Sequence, residues 1–243
     1  MLLRSIWILA GLFLTSTLWA QEAAAGAAEE SSPWSGKATL GYLATTGNTE
    51  NSSLNSGLEI GYASGKWAHL AKSVAINSSE DKRTTAEAYE LAWKSEFNFS
   101  EHNYLFGRAN WRKDRFSAYA TQLSETVGYG RRIINTGSHL LSADIGAGAR
   151  QSELNDGTKE DDAIFRGGID YRWKFSETAE FTQNFVLESG EVNNYFESVS
   201  ALRAHLLGRL ALIASYTIKN NSEVPLGAQK TDTFTALSLE YGF

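Results

Sequence analysis

Residues 231–243 read TDTFTALSLEYGF, and this stretch decides the fold. Thr231, Thr233, Thr235, Leu237, Leu239, Tyr241 and Phe243 share one side of an extended chain. Asp232, Phe234, Ala236, Ser238, Glu240 and Gly242 share the other. Successive side chains of a strand point to opposite faces, so this period of two sets one face for an apolar medium and leaves the other mixed. Residues 163–175 repeat the pattern, with Ala163, Phe165, Gly167, Ile169, Tyr171, Trp173 and Phe175 opposed to Ile164, Arg166, Gly168, Asp170, Arg172 and Lys174. A helix would put Phe165, Ile169 and Trp173 on faces overlapping Arg166 and Arg172, and neither face would be apolar.

Outward from these two stretches the alternation divides the chain into about twelve segments, each roughly 10–14 residues against about five or six for an ordinary strand. They begin near Gly36, Ser52, Trp67, Thr85, Asn103, Gln122, His139, Asp162, Ala179, Tyr195, Arg209 and Thr231. Connections after even segments are terse, as at residues 64–66, 100–102, 135–138, 176–178 and 207–208. Those after odd segments read longer, at residues 77–84, 117–121, 154–161, 189–194 and 220–230, with a short first one at 47–51. Short turns on one rim and longer loops on the other are the pattern of a bacterial outer-membrane barrel. The expected fold is all-β: an antiparallel transmembrane β-barrel over residues 34–243. In residues 67–76 both faces are mixed, and the alternation does not say which meets lipid.

Residues 1–20 carry one charge, Arg4, then an apolar run from Ile6, and end at Leu18-Trp19-Ala20. Such a run is too short to span a bilayer and reads as a secretory signal peptide. Residues 21–33, QEAAAGAAEESSP, read as a flexible acidic, alanine-rich leader. The chain of 243 residues has 22 basic and 28 acidic side chains, a net charge of -6, and no basic tract, which argues against nucleic acid as a partner. It has no cysteine, so disulfides, thiolate metal sites and a cysteine nucleophile are excluded.

The mixed faces carry charges of both signs. Glu59, Glu90, Lys94, Arg108, Arg132, Asp144, Arg166, Asp170, Arg172, Glu197, Arg203 and Arg209 are the candidate lumen-lining residues. A basic side chain facing lipid at mid-depth costs about 2–4 kcal/mol, so such charges belong inside or at the rims. Aromatics at segment ends, including Trp34, Trp67, Trp173, Phe175, Tyr241 and Phe243, fit an interfacial girdle on the short-turn rim.

No catalytic, cofactor-binding or metal constellation emerges, and no enzyme is expected. The four histidines, His69, His102, His139 and His205, match no hydrolase motif, although a Ser–His pair assembled across strands is a matter of geometry that sequence order does not reveal. The acidic stretch Glu153, Asp156, Glu160, Asp161, Asp162 lacks the spacing of an EF-hand and reads as a solvated loop.

The stretch Gly41-Tyr42-Leu43-Ala44-Thr45-Thr46-Gly47-Asn48-Thr49, with Asp232, Leu239, Tyr241 and Phe243 in the last strand, resembles the DUF481 family of exported proteins of unknown function. Members carry the label of salt-induced outer membrane proteins. The resemblance covers about residues 34–243. It implies a Gram-negative outer-membrane barrel and an association with salt or osmotic conditions, and it carries no catalytic residue. Phe243 resembles the terminal signal read by the barrel-assembly machinery. The expected partners are therefore that machinery, outer-membrane lipid and lipopolysaccharide. The expected role is a porin-like barrel with narrow passage for solutes or ions. A plugged structural or adhesion barrel, a membrane-embedded lipid hydrolase and a soluble periplasmic β protein are the alternatives.

Overall fold

The computed structural model describes residues 32–45, 51–81, 83–117, 119–224 and 229–243; the expected signal peptide and the leader up to residue 31 lie outside them. The strands are β1 (Trp34–Thr45), β2 (Asn51–Ser64), β3 (Trp67–Glu80), β4 (Arg83–Asn98), β5 (Asn103–Asp114), β6 (Tyr119–Asn135), β7 (His139–Leu154), β8 (Lys159–Lys174), β9 (Ala179–Gly190), β10 (Asn194–Leu207), β11 (Leu210–Asn221) and β12 (Thr231–Gly242). Each pairs antiparallel with its neighbours, and β1 pairs with β12, so the sheet closes into a barrel without a free edge. Gly36 and Phe243 exchange both backbone hydrogen bonds at 2.9 Å and extend that seam to its end. A Cβ on Gly36 would sit 2.1 Å from the Phe243 ring, so the ring's seat needs glycine.

Every strand begins within three residues of where the alternation put it. The connections differ more. The expected loop at 77–84 shrinks to residues 81–82, with Asp81 at φ 47°, and those at 154–161 and 189–194 shrink to 155–158 and 191–193. Measured between strand ends, the connection over 222–230 is the longest. The upper rim is therefore less looped than the sequence implied. Beyond the apolar band the strands continue as polar ladders in which opposite charges meet, Glu80 against Arg83 and Glu153 against Lys159. On the lower rim, where β1 starts and β12 ends, Arg209 is a correction. It lies in the turn after Gly208 (φ 56°), and β11 starts one residue later. A two-residue turn needs that position, so Arg209 does not line the lumen.

The outward face is apolar and uncovered: Phe165 is 75% exposed and Val127 and Ile145 are each 69% exposed. Water would penalise such a band, whereas lipid welcomes it. Near the lower rim it ends in paired rings, with centroids 4.7 Å apart for Trp34–Tyr62, 5.0 Å for Trp67–Phe97 and 5.4 Å for Trp173–Phe175. The register also settles β3. Lys72 stands opposite Glu59, so Lys72, Val74 and Ile76 face the lumen, and His69, Ala71 and Ser73 face outward. The lumenal face here is the more apolar one, which is why alternation gave no contrast.

Candidate functional site

Among the described residues, the interior of the barrel is where chemistry-bearing side chains converge in number. Eleven of the twelve candidate residues point into it, Arg209 being the exception. Together with inward side chains that are not on that list, most of the lumenal charges are tied into three assemblies.

Arg166, Asp144, Lys94, Glu96 and Arg132 form a continuous ionic chain down the lumen. Arg166 pairs with Asp144, and Lys94 bridges Asp144 at 3.5 Å and Glu96 at 2.9 Å. Glu96 then meets Arg132 at 2.9 Å, and Arg132 also donates to Asn98 at 2.7 Å. The rings of Tyr104 and Phe106 lie 5.1 and 5.4 Å from the Lys94 ammonium and exclude water from one side. Arg203, nearer the lower rim, donates to Glu240 at 2.7 Å and lies 3.8 Å from Glu180.

A second group closes the upper lumen. Arg112 donates to Glu188 at 3.1 Å and to Ser124 at 3.3 Å, and its guanidinium stacks 4.0 Å from the Tyr195 ring centroid. Arg150 donates to Asp162 at 3.2 Å and to the Asn193 carbonyl, and lies 3.8 Å from Glu188. Asp162 also accepts the backbone N–H groups of Glu191 at 2.9 Å and Val192 at 3.2 Å. That carboxylate, expected in a solvated loop, instead points inward from β8 and folds the 191–193 connection over the barrel mouth. The rest of the acidic stretch stays at the rim. There the backbone N–H of Thr158 donates to Asp156 at 2.9 Å and holds its carboxyl below the usual carboxylate range.

Between these groups lies a thin septum. The Lys219 ammonium stands 3.9 Å from Glu90 and 3.8 Å from Glu197, and the Tyr195 hydroxyl donates to Glu197 at 2.6 Å. Below it a cavity of about 660 Å³ runs from Ser35 and Ala63 near the lower rim to Glu90 and Glu197. Above it a chamber of about 50 Å³, lined by Val74, Ile76 and Tyr119, shares Glu90 as a wall. Asp170 accepts the Asn184 amide on the cavity's far side, while Arg108 and Arg172 make no ion pair among the described residues. Lys72, Asp162, Glu188 and Lys219 were not among the sequence candidates. Counting inward by twos along β11 from Ala211 would have found Lys219.

The outward face holds a separate feature. His69 and Ser95 are cross-strand partners near the lower rim, with His69 Nδ1 2.8 Å from Ser95 Oγ. Trp93 donates its indole N–H to the same hydroxyl at 2.9 Å. His69 stacks against Trp67 at 5.9 Å. No carboxylate orients the imidazole among the described residues, and among them no three His, Cys, Asp or Glu side chains are grouped to hold a metal ion.

The fold matches solved outer-membrane barrels. The NanC porin aligns with a TM-score of 0.50 at 12% identity, over 85% of this chain and 97% of that one. An outer membrane channel from Pseudomonas putida F1 aligns with a TM-score of 0.50 at 7% identity, over 86% and 95%. At these identities the likeness is one of architecture. In sequence, an uncharacterised Escherichia coli (strain K12) protein, YdiY, is 32% identical over 210 residues, covering 86% of this chain and 83% of its own. The model of the protein family of unknown function DUF481 matches residues 38–243. The chain belongs to the DUF481 family.

Proposed function

We propose that this protein sits in the bacterial outer membrane and gives small solutes or ions a narrow passage. The supporting observation is the uneven filling of the lumen. A water-accessible vestibule of about 660 Å³ penetrates halfway, and one loosely held ammonium separates it from the chamber above. With β1 starting and β12 ending on the short-turn side, as in bacterial barrels, the vestibule opens to the periplasm. Lys219 lies beyond hydrogen-bond reach of both carboxylates, so water and salt ions compete for it. That sensitivity is a physical route to the salt or osmotic association of the family label. Phe243, at the closing seam, is the proposed contact for the assembly machinery, and lipopolysaccharide covers the outer leaflet around the band.

Single-channel recording of the refolded protein in planar bilayers, with a salt gradient, tests the passage. Discrete steps support it, and the sign of the reversal potential reports the dominant lumenal charge. A correctly folded but silent barrel favours the plugged structural reading, for which the network around Arg150 speaks. The His69–Ser95 pair favours a second reading, hydrolysis of lipid esters at the periplasmic headgroup level. Labelling by a fluorophosphonate that is lost in Ser95→Ala and in His69→Ala would establish it. Absence of labelling would remove it.

A further inference from the structure

We propose that Lys72 and Arg108 form a binding site for a small organic anion at the blind end of the periplasmic vestibule. The proposal rests on the barrel orientation given above and goes beyond it by assigning a ligand class.

Both side chains line the same cavity, Lys72 from β3 and Arg108 from β5. On β4 the register partner of Lys72 is Ala92, whose methyl group carries no charge; on β2 it is Glu59, which makes its ion pair with Lys37 and not with Lys72. Neither cation makes an ion pair or hydrogen bond among the described residues. The carboxylates around them are engaged. Glu59 pairs with Lys37 at 3.6 Å, Glu96 with Lys94 and Arg132, and Glu90 and Glu197 share Lys219. The ionic chain above takes Asp144. The blind end thus holds two cations that make no ion pair of their own among the described residues, while Glu90 acts on Arg108 and Glu197 on Lys72 only through space. A guanidinium half-removed from water without a partner is unfavourable, and an anion supplying charge-assisted hydrogen bonds offsets that cost.

The opposite wall narrows the class further. Ser142, Thr182 and Asn184 line it with neutral donors and acceptors, which suit hydroxyl groups. A volume of about 660 Å³ fits a ligand of monosaccharide size with room for water. The ligand chemistry is therefore a carboxylate or phosphate ester on a hydroxylated carbon skeleton.

Calorimetric titration of the full refolded protein in detergent micelles, at low ionic strength, tests this with glucose 6-phosphate, gluconate and glucose as probes. The expected result is binding of one or both anions, with glucose at least about tenfold weaker, the loss of one charge-assisted contact or more. Binding of glucose 6-phosphate alone would identify a phosphate site, and of gluconate alone a carboxylate site. Lys72→Gln and Arg108→Gln should each weaken the anion about tenfold, and Lys37→Gln, beside the cavity mouth, should change it less than about twofold. Heat-modifiable gel migration confirms that each variant is folded, and Arg108→Lys should recover part of the affinity. Equal binding of glucose and the anions, no binding of either anion, or wild-type affinity in the folded double glutamine variant would overturn the site. Since the titration needs no conduction, a silent channel that still binds the anion would sink only the passage reading.

Discussion

The β5–β9 wall of the lumen and the β1–β3 wall are built from the same residue types, yet they behave as different materials. On the first, Arg150, Glu188, Asp144, Arg166, Asp162 and Arg112 are 1–8% exposed; every one is ion-paired, and all but Arg166, which pairs with Asp144, meet two or more partners. On the second, Lys37 and Glu59 are 48% and 37% exposed at the side chain and make one ion pair, with each other, while Lys72 makes no ion pair or hydrogen bond among the described residues. A buried charge is tolerable only when it is paired, so the first wall is a brace whose members hold one another. The second is a wetted surface whose charges remain available to a visitor. The contrast is one of packing depth and partner number, because composition is shared.

The sharpest way to break this comparison is Arg150→Gln. It would leave Asp162 and Glu188 buried without their shared cation, and removing one member of a buried ionic cluster costs about 3–5 kcal/mol. The expected outcome is a marked fall in the urea midpoint of the refolded barrel. A fall within error would mean that the β5–β9 wall is no brace.

Gly148→Ala probes the same wall sterically. A Cβ there would lie 1.8 Å from the backbone oxygen of Glu125, so a strand must move, and overpacking of this kind costs about 1–3 kcal/mol. Gly107, with nothing within 4 Å of its added Cβ, is the control, and Gly107→Ala should leave the midpoint unchanged.

How much of this contrast was legible beforehand differs between fold and site. Twelve strands, their starts and most of their faces follow from period-two patterning, because lipid outside and charges inside make opposite demands on alternate residues. The pattern failed at β3, where Val74 and Ile76 face the lumen and His69 and Ser73 face out, so neither face was distinct. Many inward charges were legible, though Lys72, Asp162, Glu188 and Lys219 were not, and their partners were not legible at all. Arg112 meets Glu188 76 residues away, a pairing that exists only once the barrel has closed. Asp162 was misread because Glu160, Asp161 and Asp162 form an acidic run, which along a sequence looks like a solvated loop. In the barrel, alternation splits the run: Asp161 turns outward, and Asp162, on the inward face that Glu160 shares, is buried beneath the 191–193 connection.

Lys219→Gln acts on the septum between the two walls and sharpens the comparison functionally. Without the ammonium, Glu90 and Glu197 face each other with no neutralising charge from β11, and the narrowest point turns more negative. Single-channel conductance should rise by about twofold or more, and the reversal potential should move toward cation preference. Unchanged conductance and selectivity would place the barrier elsewhere, in the network around Arg150. Stability should change little, since Lys219 hydrogen-bonds neither carboxylate.

The smallest effect is expected from Lys37→Gln, and its smallness matters. Lys37 and Glu59 stand 3.6 Å apart on paired strands at the water-filled end of the lumen, where solvent screens both. Such pairs are worth about 0–1 kcal/mol, so the urea midpoint should move no more than the error of measurement. Measured beside Arg150→Gln under the same conditions, it sets a screened cation facing one carboxylate against a buried cation facing two, and so reads packing depth and partner number together. If the two variants cost the same, burial is not what separates the walls, and the division into brace and wetted surface fails at its root.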